Sequence, residues 1–243
     1  MRDNYGEHGV ENYYTKVGST YRNPHYPGVR RCLFSWFTSW WTEEYSKLDE
    51  KRQITVFDMA CGSGEVTIAL AEWWHASSIP PSNERPSLPQ RKTQLATPSN
   101  FDPNTSRPHV MAADPYTAEA FRARLSASCA SLSFRDIAEG ALPETRFRLP
   151  LVGMIPEDLP PEVSDSSEVA EMIICSFALH LIDNPSELFA LLWELSTKFR
   201  WLVILAPHKK PEIKGGWGWM KWDVDKWQGG DMGSSEGEYL FDR

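Results

Sequence analysis

Asp58, Gly62 and Gly64 stand together in the run Val56-Phe57-Asp58-Met59-Ala60-Cys61-Gly62-Ser63-Gly64-Glu65-Val66-Thr67. Glycine is used where a backbone must turn sharply or let a ligand come close. An acid ahead of those glycines suits a ligand with a cationic head better than one whose phosphates must sit there. Further acids recur at Asp114 and Asp136. A carboxylate at the end of a second strand can accept hydrogen bonds from both hydroxyls of a ribose. His25, His180 and His208 are the candidate general bases, with a purely structural role as the competing reading of each.

These residues need strands and helices to hold them. A β-rich run, 54–57, leads into Asp58, and the apolar spacing of Val66, Leu70, Trp73 and Trp74 predicts a helix after the glycines. Its N-terminal amides would then face the ligand. A second strand-like run, 109–116, carries Asp114, and Thr117 caps a helix over 118–125. Asp114 follows Asp58 at well over twice the roughly 20 residues such folds use. The excess falls in 77–107, rich in Pro, Ser, Asn, Arg and Gln, which reads as a disordered surface insertion. Residues 171–182 form a near-continuous apolar run, as a strand buried on both faces requires. A turn-and-cap sequence, Asp183-Asn184-Pro185-Ser186, then opens a helix over 187–197, and 201–207 form another strand with Pro207 at its end. Repeated β–α units of this kind predict an α/β fold, a doubly wound and mostly parallel sheet with ligand at the carboxyl ends of its strands.

The acid–glycine loop resembles motif I of class I S-adenosylmethionine-dependent methyltransferases, and the resemblance spans about residues 54–207 apart from the insertion. It implies S-adenosyl-L-methionine as cofactor and methyl transfer to a small molecule. It places Asp58 near the ligand's amino-acid end, with Ala60, Cys61, Gly62 and Gly64 packed beneath the ribose and methionine part. Asp114 and Pro115 fall at the ribose position. Asp136 and Ile137 match the position facing adenine, although helix capping explains Asp136 equally well. Ser176 and Phe177, in Ser-Phe-Ala-Leu-His-Leu-Ile, would flank the cofactor. An N-terminal extension covers the pocket in related enzymes, so Tyr14, Tyr21 or Arg22 is expected to reach the cofactor's carboxylate or close the pocket. Three rival readings stay open: transfer to protein or RNA, a non-catalytic cofactor-binding or scaffolding protein, and a nicotinamide dehydrogenase. The last is disfavoured because Asp58 would sit beside the pyrophosphate and Thr67 holds the third-glycine position.

The flanks add detail. Residues 1–50 read as a helical cap, 51–208 as the cofactor-binding core, and 209–243 as a Trp/Gly-rich segment. The tryptophans of the cap read as core, whereas Tyr-Arg-Asn-Pro-His at 21–25 is an unusual core sequence and is assigned to the site. Trp217, Trp219, Trp222 and Trp227 among glycines suggest a loop folding over a ligand or an aromatic cage, against packing on the cap or a partner interface. Only residues 238–241 look strand-like after Lys209, so the final strand of the methyltransferase sheet is expected to be missing or supplied otherwise. The strand at 201–207 would then border an open edge, which self-association would cover. A net charge of -8 and a sequence pI near 5.3 argue against a broad nucleic-acid surface. No apolar run approaches the roughly 20 residues of a membrane span. No signal-peptide core is visible, and Cys32, Cys61, Cys129 and Cys175 lack metal-ligand spacing, so no metal is expected. They read as reduced thiols of a cytoplasmic protein, with Cys61 a small packing residue.

Overall fold

Strand side chains alternate between two faces, and here both faces are apolar. Val56, Met172, Ile174, Trp201 and Val203 enter one core, and Phe57, Ile173, Cys175, Leu202 and Phe199 enter another. The chain is seen in a computed structural model that describes residues 22–47, 53–79, 95, 97–99, 101–102, 104–150, 162–163, 170–206, 211–230 and 239–242. The expectations for Tyr14, Tyr21 and His208 lie outside the described residues.

The strands are β1 (Thr55–Met59), β2 (His109–Ala113), β3 (Thr145–Arg148), β4 (Glu162–Val163), β5 (Ala170–Ser176), β6 (Phe199–Leu205), β7 (Met220–Asp223), β8 (Gln228–Gly229) and β9 (Tyr239–Asp242). The helices are α1 (Tyr26–Glu43), α2 (Glu65–Ser78), α3 (Ala118–Leu125), α4 (Phe134–Ala138) and α5 (Pro185–Ser196). Their order in one sheet is β4-β3-β2-β1-β5-β6-β9-β7-β8. β2, β1, β5 and β6 are parallel, and Ala130 adds a parallel bridge to Ala113. The chain is thus an α/β protein with a mostly parallel central sheet and helices on both faces. From β1 the chain moves to β2 on one side and later to β5 on the other. That reversal opens a crevice beyond the carboxyl ends of β1 and β5, where open α/β sheets take their ligands.

Two expectations about the C-terminus are corrected. The final strand is present: β9 pairs antiparallel with β6, Trp201 opposite Asp242 and Leu202 opposite Phe241. β7 pairs antiparallel with β9 on its far side and so runs in the direction of β6. β6 therefore has no open edge, and the reason for expecting self-association there disappears.

The tryptophans are also packed inward. Trp222 and Trp227 meet Trp201 with ring centroids 5.3 and 5.8 Å away, and Trp227 stacks on Trp36 of α1 at 5.3 Å. Glu44 ties these parts together, accepting from Trp227 Nε1 and Arg200 Nη2, each at 2.8 Å. Trp219 is buried and donates its Nε1 to the Leu192 carbonyl at 2.8 Å. Gly218 just before it has φ +85°, and a Cβ there would lie 2.2 Å from Ser196 Oγ, so glycine is what lets this loop lie against α5. Packing, not a ligand cage, accounts for these indoles.

On the first face, α1 lies along α2 through Phe37, Trp41, Trp73 and Trp74, and Trp73 Nε1 donates to Thr38 Oγ1 at 3.0 Å. The sequence reading of the cap tryptophans as core therefore holds. The insertion is anchored at both ends: Ser77 and Ser78 belong to α2, and Phe101 stacks on Trp41 with centroids 4.7 Å apart. No helix among the described residues is long and apolar enough to cross a membrane.

Replacing Trp219 with Ala removes a buried indole and its hydrogen bond. Urea unfolding is expected to show a loss of about 3–5 kcal/mol. An unchanged midpoint would contradict the packing role.

Candidate functional site

The crevice contains a cavity of about 500 Å³, within the range of small-molecule and cofactor sites. The β1–α2 loop supplies Ala60, Cys61 and Gly62, and the first turn of α2 adds Glu65 and Val66. The segment after β2 supplies Asp114, Pro115 and Tyr116. Leu132 to Arg135 and Ile137 form a further wall. The end of β5 contributes Ser176, Phe177 and Ala178, followed by Leu181 to Asn184 and Glu187, and the cap contributes Asn23.

The glycine loop and the β2 end are joined through one side chain. Asp114 accepts from Gly62 N at 3.1 Å on Oδ2, and from Tyr116 N and Thr117 N at 2.8 Å each on Oδ1. Thr117 Oγ1 returns a hydrogen bond to the Gly62 carbonyl at 2.7 Å. An ionised carboxylate has about four acceptor positions. Three are already engaged by backbone, so Asp114 retains room for about one ligand donor, fewer than the two ribose hydroxyls expected of it.

Asp58 is placed differently from the expectation. Its carboxyl is buried beneath the loop and does not line the cavity. Oδ2 accepts from Thr67 N at 3.1 Å and Thr67 Oγ1 at 2.7 Å, while Oδ1 has no hydrogen-bond partner. Burial pushes its pKa up to about 8, against the opposing pull of the Thr67 hydrogen bonds. The acidic residues that do line the cavity are Glu65, Asp114, Asp183 and Glu187. Glu65 went unrecognised because an acid at a helix start is ordinarily explained by the dipole. Here its Oε1 accepts from Ser63 Oγ at 2.8 Å and pairs with Arg124 Nη1 at 3.1 Å.

Gly64 serves packing rather than ligand approach. At φ +94° its absent Cβ would lie 2.5 Å from Leu125 Cδ1 and 3.2 Å from Phe121, so the glycine seats α3 against the loop. Ala60 and Phe177 are non-glycine residues held at φ 54° and 58°, and both line the cavity. Backbone strain of this kind concentrates at ligand sites.

Asp136 is corrected to a capping role. Its Oδ2 accepts from Ser133 N and Oγ while Ser133 Oγ accepts from Asp136 N, a capping box at the start of α4. That leaves Ile137, with Leu132 and Phe134, as an apolar wall. Ser176 Oγ is buried without a hydrogen-bond partner in a residue that lines the cavity.

The histidines separate. His25 stacks on Phe177, centroids 5.2 Å apart, which places it one ring behind the cavity wall. His180 lies on the short 3-10 turn Leu179–Leu181, whose Leu181 lines the cavity while His180 does not. Arg22 is exposed and outside the lining, whereas its neighbour Asn23 lines it and accepts from His25 N at 2.9 Å. Among the described residues no cluster of His, Cys, Asp or Glu is arranged to hold a metal ion.

Asp58 has a folded pKa raised above its unfolded value near 3.8. Its favourable contribution is therefore full below about pH 4 and is lost as pH rises through about 8. An Asp58→Asn variant, which keeps an acceptor for Thr67, is expected to lose less stability than the parent between pH 4 and 8. Parallel unfolding curves across that window would contradict the buried, protonated carboxyl.

No protein-family model matches the chain. Uncharacterized protein C17A5.05c of Schizosaccharomyces pombe is 35% identical over 243 residues, a match covering 100% of this chain and 88% of that protein. At that identity over its whole length, the chain belongs to the same family as the fission-yeast protein C17A5.05c.

Proposed function

We propose that the cavity binds S-adenosyl-L-methionine and that the protein transfers its methyl group to a small-molecule acceptor. The observation that carries this reading is the acid–glycine loop at the switch point, locked to the β2 end by Asp114 and facing an apolar wall. Of the three strands after β6, the last, β9, runs antiparallel to β6, which adds support because the methyltransferase sheet also ends on an antiparallel strand.

The residues present fit such a cofactor. Leu132, Phe134, Ile137 and Phe177 offer apolar surface for a flat base. Asp114 and Glu65 offer acceptors to hydroxyl or ammonium groups, and the partnerless Ser176 Oγ is available to a polar group. Two nicotinamide-cofactor phosphates at the same loop would meet the carboxylates of Asp114 and Glu65, which disfavours that alternative.

When bound, the cofactor supplies an already activated methyl electrophile. The chain then has to align an acceptor and exclude water. The cap, through Asn23 and the His25–Phe177 stack, closes one side of the cavity. His25, which lies behind the Phe177 ring and outside the cavity lining, is the proposed proton acceptor if the substrate must lose one, and that role requires the Phe177 ring to move.

Incubation with methyl-labelled cofactor and a fractionated cell extract tests this reading. Label is expected in the small-molecule fraction, and an Asp114→Ala variant should reduce it by about tenfold or more. Label confined to protein or RNA would move the acceptor to a macromolecule. No transfer to any fraction would overturn catalysis.

A further inference from the structure

Cys61 and Cys129 lie beside the glycine loop with their sulfur atoms 3.5 Å apart. They are 4% and 6% exposed, and Cys61 is one of the residues that line the cavity, the side from which a small oxidant would approach. Both backbones are pinned to β2. Cys61 N donates to the Ala113 carbonyl at 3.1 Å, and Ala130, next to Cys129, donates its N to the Ala112 carbonyl at 2.9 Å. Arg122 further fixes the Cys129 carbonyl through Nε at 3.1 Å and Nη2 at 2.7 Å. Neither thiol is used by the proposed methyl transfer.

We propose that this pair is a redox modification site, closed to a Cys61–Cys129 disulfide by hydrogen peroxide that enters through the cavity. The Cys61 sulfur, as thiolate, attacks one peroxide oxygen. An S–O bond forms, the O–O bond breaks, and the departing hydroxide leaves as water after taking a proton. The Cys129 sulfur then attacks the Cys61 sulfenic sulfur, forming the S–S bond and releasing the oxygen as a second water. Two thiols are oxidised by two electrons, and one hydrogen peroxide is reduced.

Closure contracts the sulfur separation from 3.5 Å to the roughly 2.0 Å of a disulfide. The loop carrying Gly62 must shift with Cys61. Gly62 is the residue next to Cys61, so its 3.1 Å hydrogen bond to Asp114 is the contact most directly exposed to that shift. Oxidation would therefore loosen the junction that shapes the cavity.

Burial, the bond to Cys129 and the nearby Asp58 and Asp114 push the Cys61 thiol well above its ordinary range. Glu65 and the Arg122 and Arg124 guanidinium groups complete the charged surroundings. The reaction is accordingly slow at neutral pH and quickens as pH rises.

The test is to treat the full chain with hydrogen peroxide, then measure intact mass and map cysteine peptides. Exposed Cys32 reports that the oxidant has acted. The expected product has lost two hydrogens, links the Cys61 and Cys129 peptides, and reverts with dithiothreitol. Amide exchange at Gly62 should speed up about tenfold or more in the oxidised form. A Cys129→Ser variant should stop at an adduct on Cys61. Absence of the link after prolonged treatment at raised pH, with Cys32 long since fully oxidised, would overturn the proposal, as would a link that leaves Gly62 exchange unchanged. These readouts need no ligand, so they stand or fall separately from methyl transfer.

Discussion

A single carboxylate holds the two strand ends that make the cavity. Asp114 collects backbone donors from Gly62 on one loop and from Tyr116 and Thr117 on the other, and Thr117 answers with its hydroxyl. Without that exchange the Gly62 amide on the β1–α2 loop and the Tyr116 and Thr117 amides after β2 would lose these partners, at a cost of about 1–3 kcal/mol for each group left orphaned. The positive φ angles at Ala60 and Phe177 sit on either side of the same junction. Local strain of that kind persists where surrounding contacts over-determine the backbone. The Phe177 side is fixed by its amide donating to the Leu205 carbonyl at 2.8 Å and by the His25 ring against its face.

The rest of the molecule makes that junction rigid. The cap helix is fastened to α2 by aromatic packing and by the Arg30–Glu72 ion pair, so Asn23 and His25 arrive at the cavity from a fixed base. The C-terminal strands reach the same helix through Trp227 and Glu44. Cap, sheet and C-terminal hairpin thereby share one apolar core, and the cavity opens on the rim where that core ends. Buried Asp58 acts on the loop from below, by holding the first turn of α2 through Thr67.

Much of this architecture was legible in the sequence for physical reasons. The doubly buried strands, β5 above all, show as unbroken apolar runs, and Asp114 and Ser176 mark the ends of β2 and β5, whereas Asp58 lies buried within β1. α3 could be read from its amphipathic register and spans 118–125 as expected, but Thr117, at its N-cap position, does not cap it with its side chain and gives its hydroxyl to the Gly62 carbonyl instead. β7 escaped because Met-Lys-Trp-Asp is short and flanked by glycines, so the tryptophans looked like loop anchors instead of core side chains facing Trp201. The exposed-looking acid at 136 carried two physically equivalent readings, and only the Ser133 geometry separates them. Asn23 fell within the 21–25 cluster assigned to the site, whereas Glu65, Tyr116 and the 181–187 wall were hidden because their convergence depends on loops meeting across the sheet, which local pattern does not encode.

The most direct test of the account is calorimetric titration of the purified chain with S-adenosylmethionine and S-adenosylhomocysteine, with NADH as control. The acid–glycine cavity predicts micromolar binding of both sulfur ligands and none of NADH. Absence of binding by either sulfur ligand, or tighter binding of NADH, would contradict it.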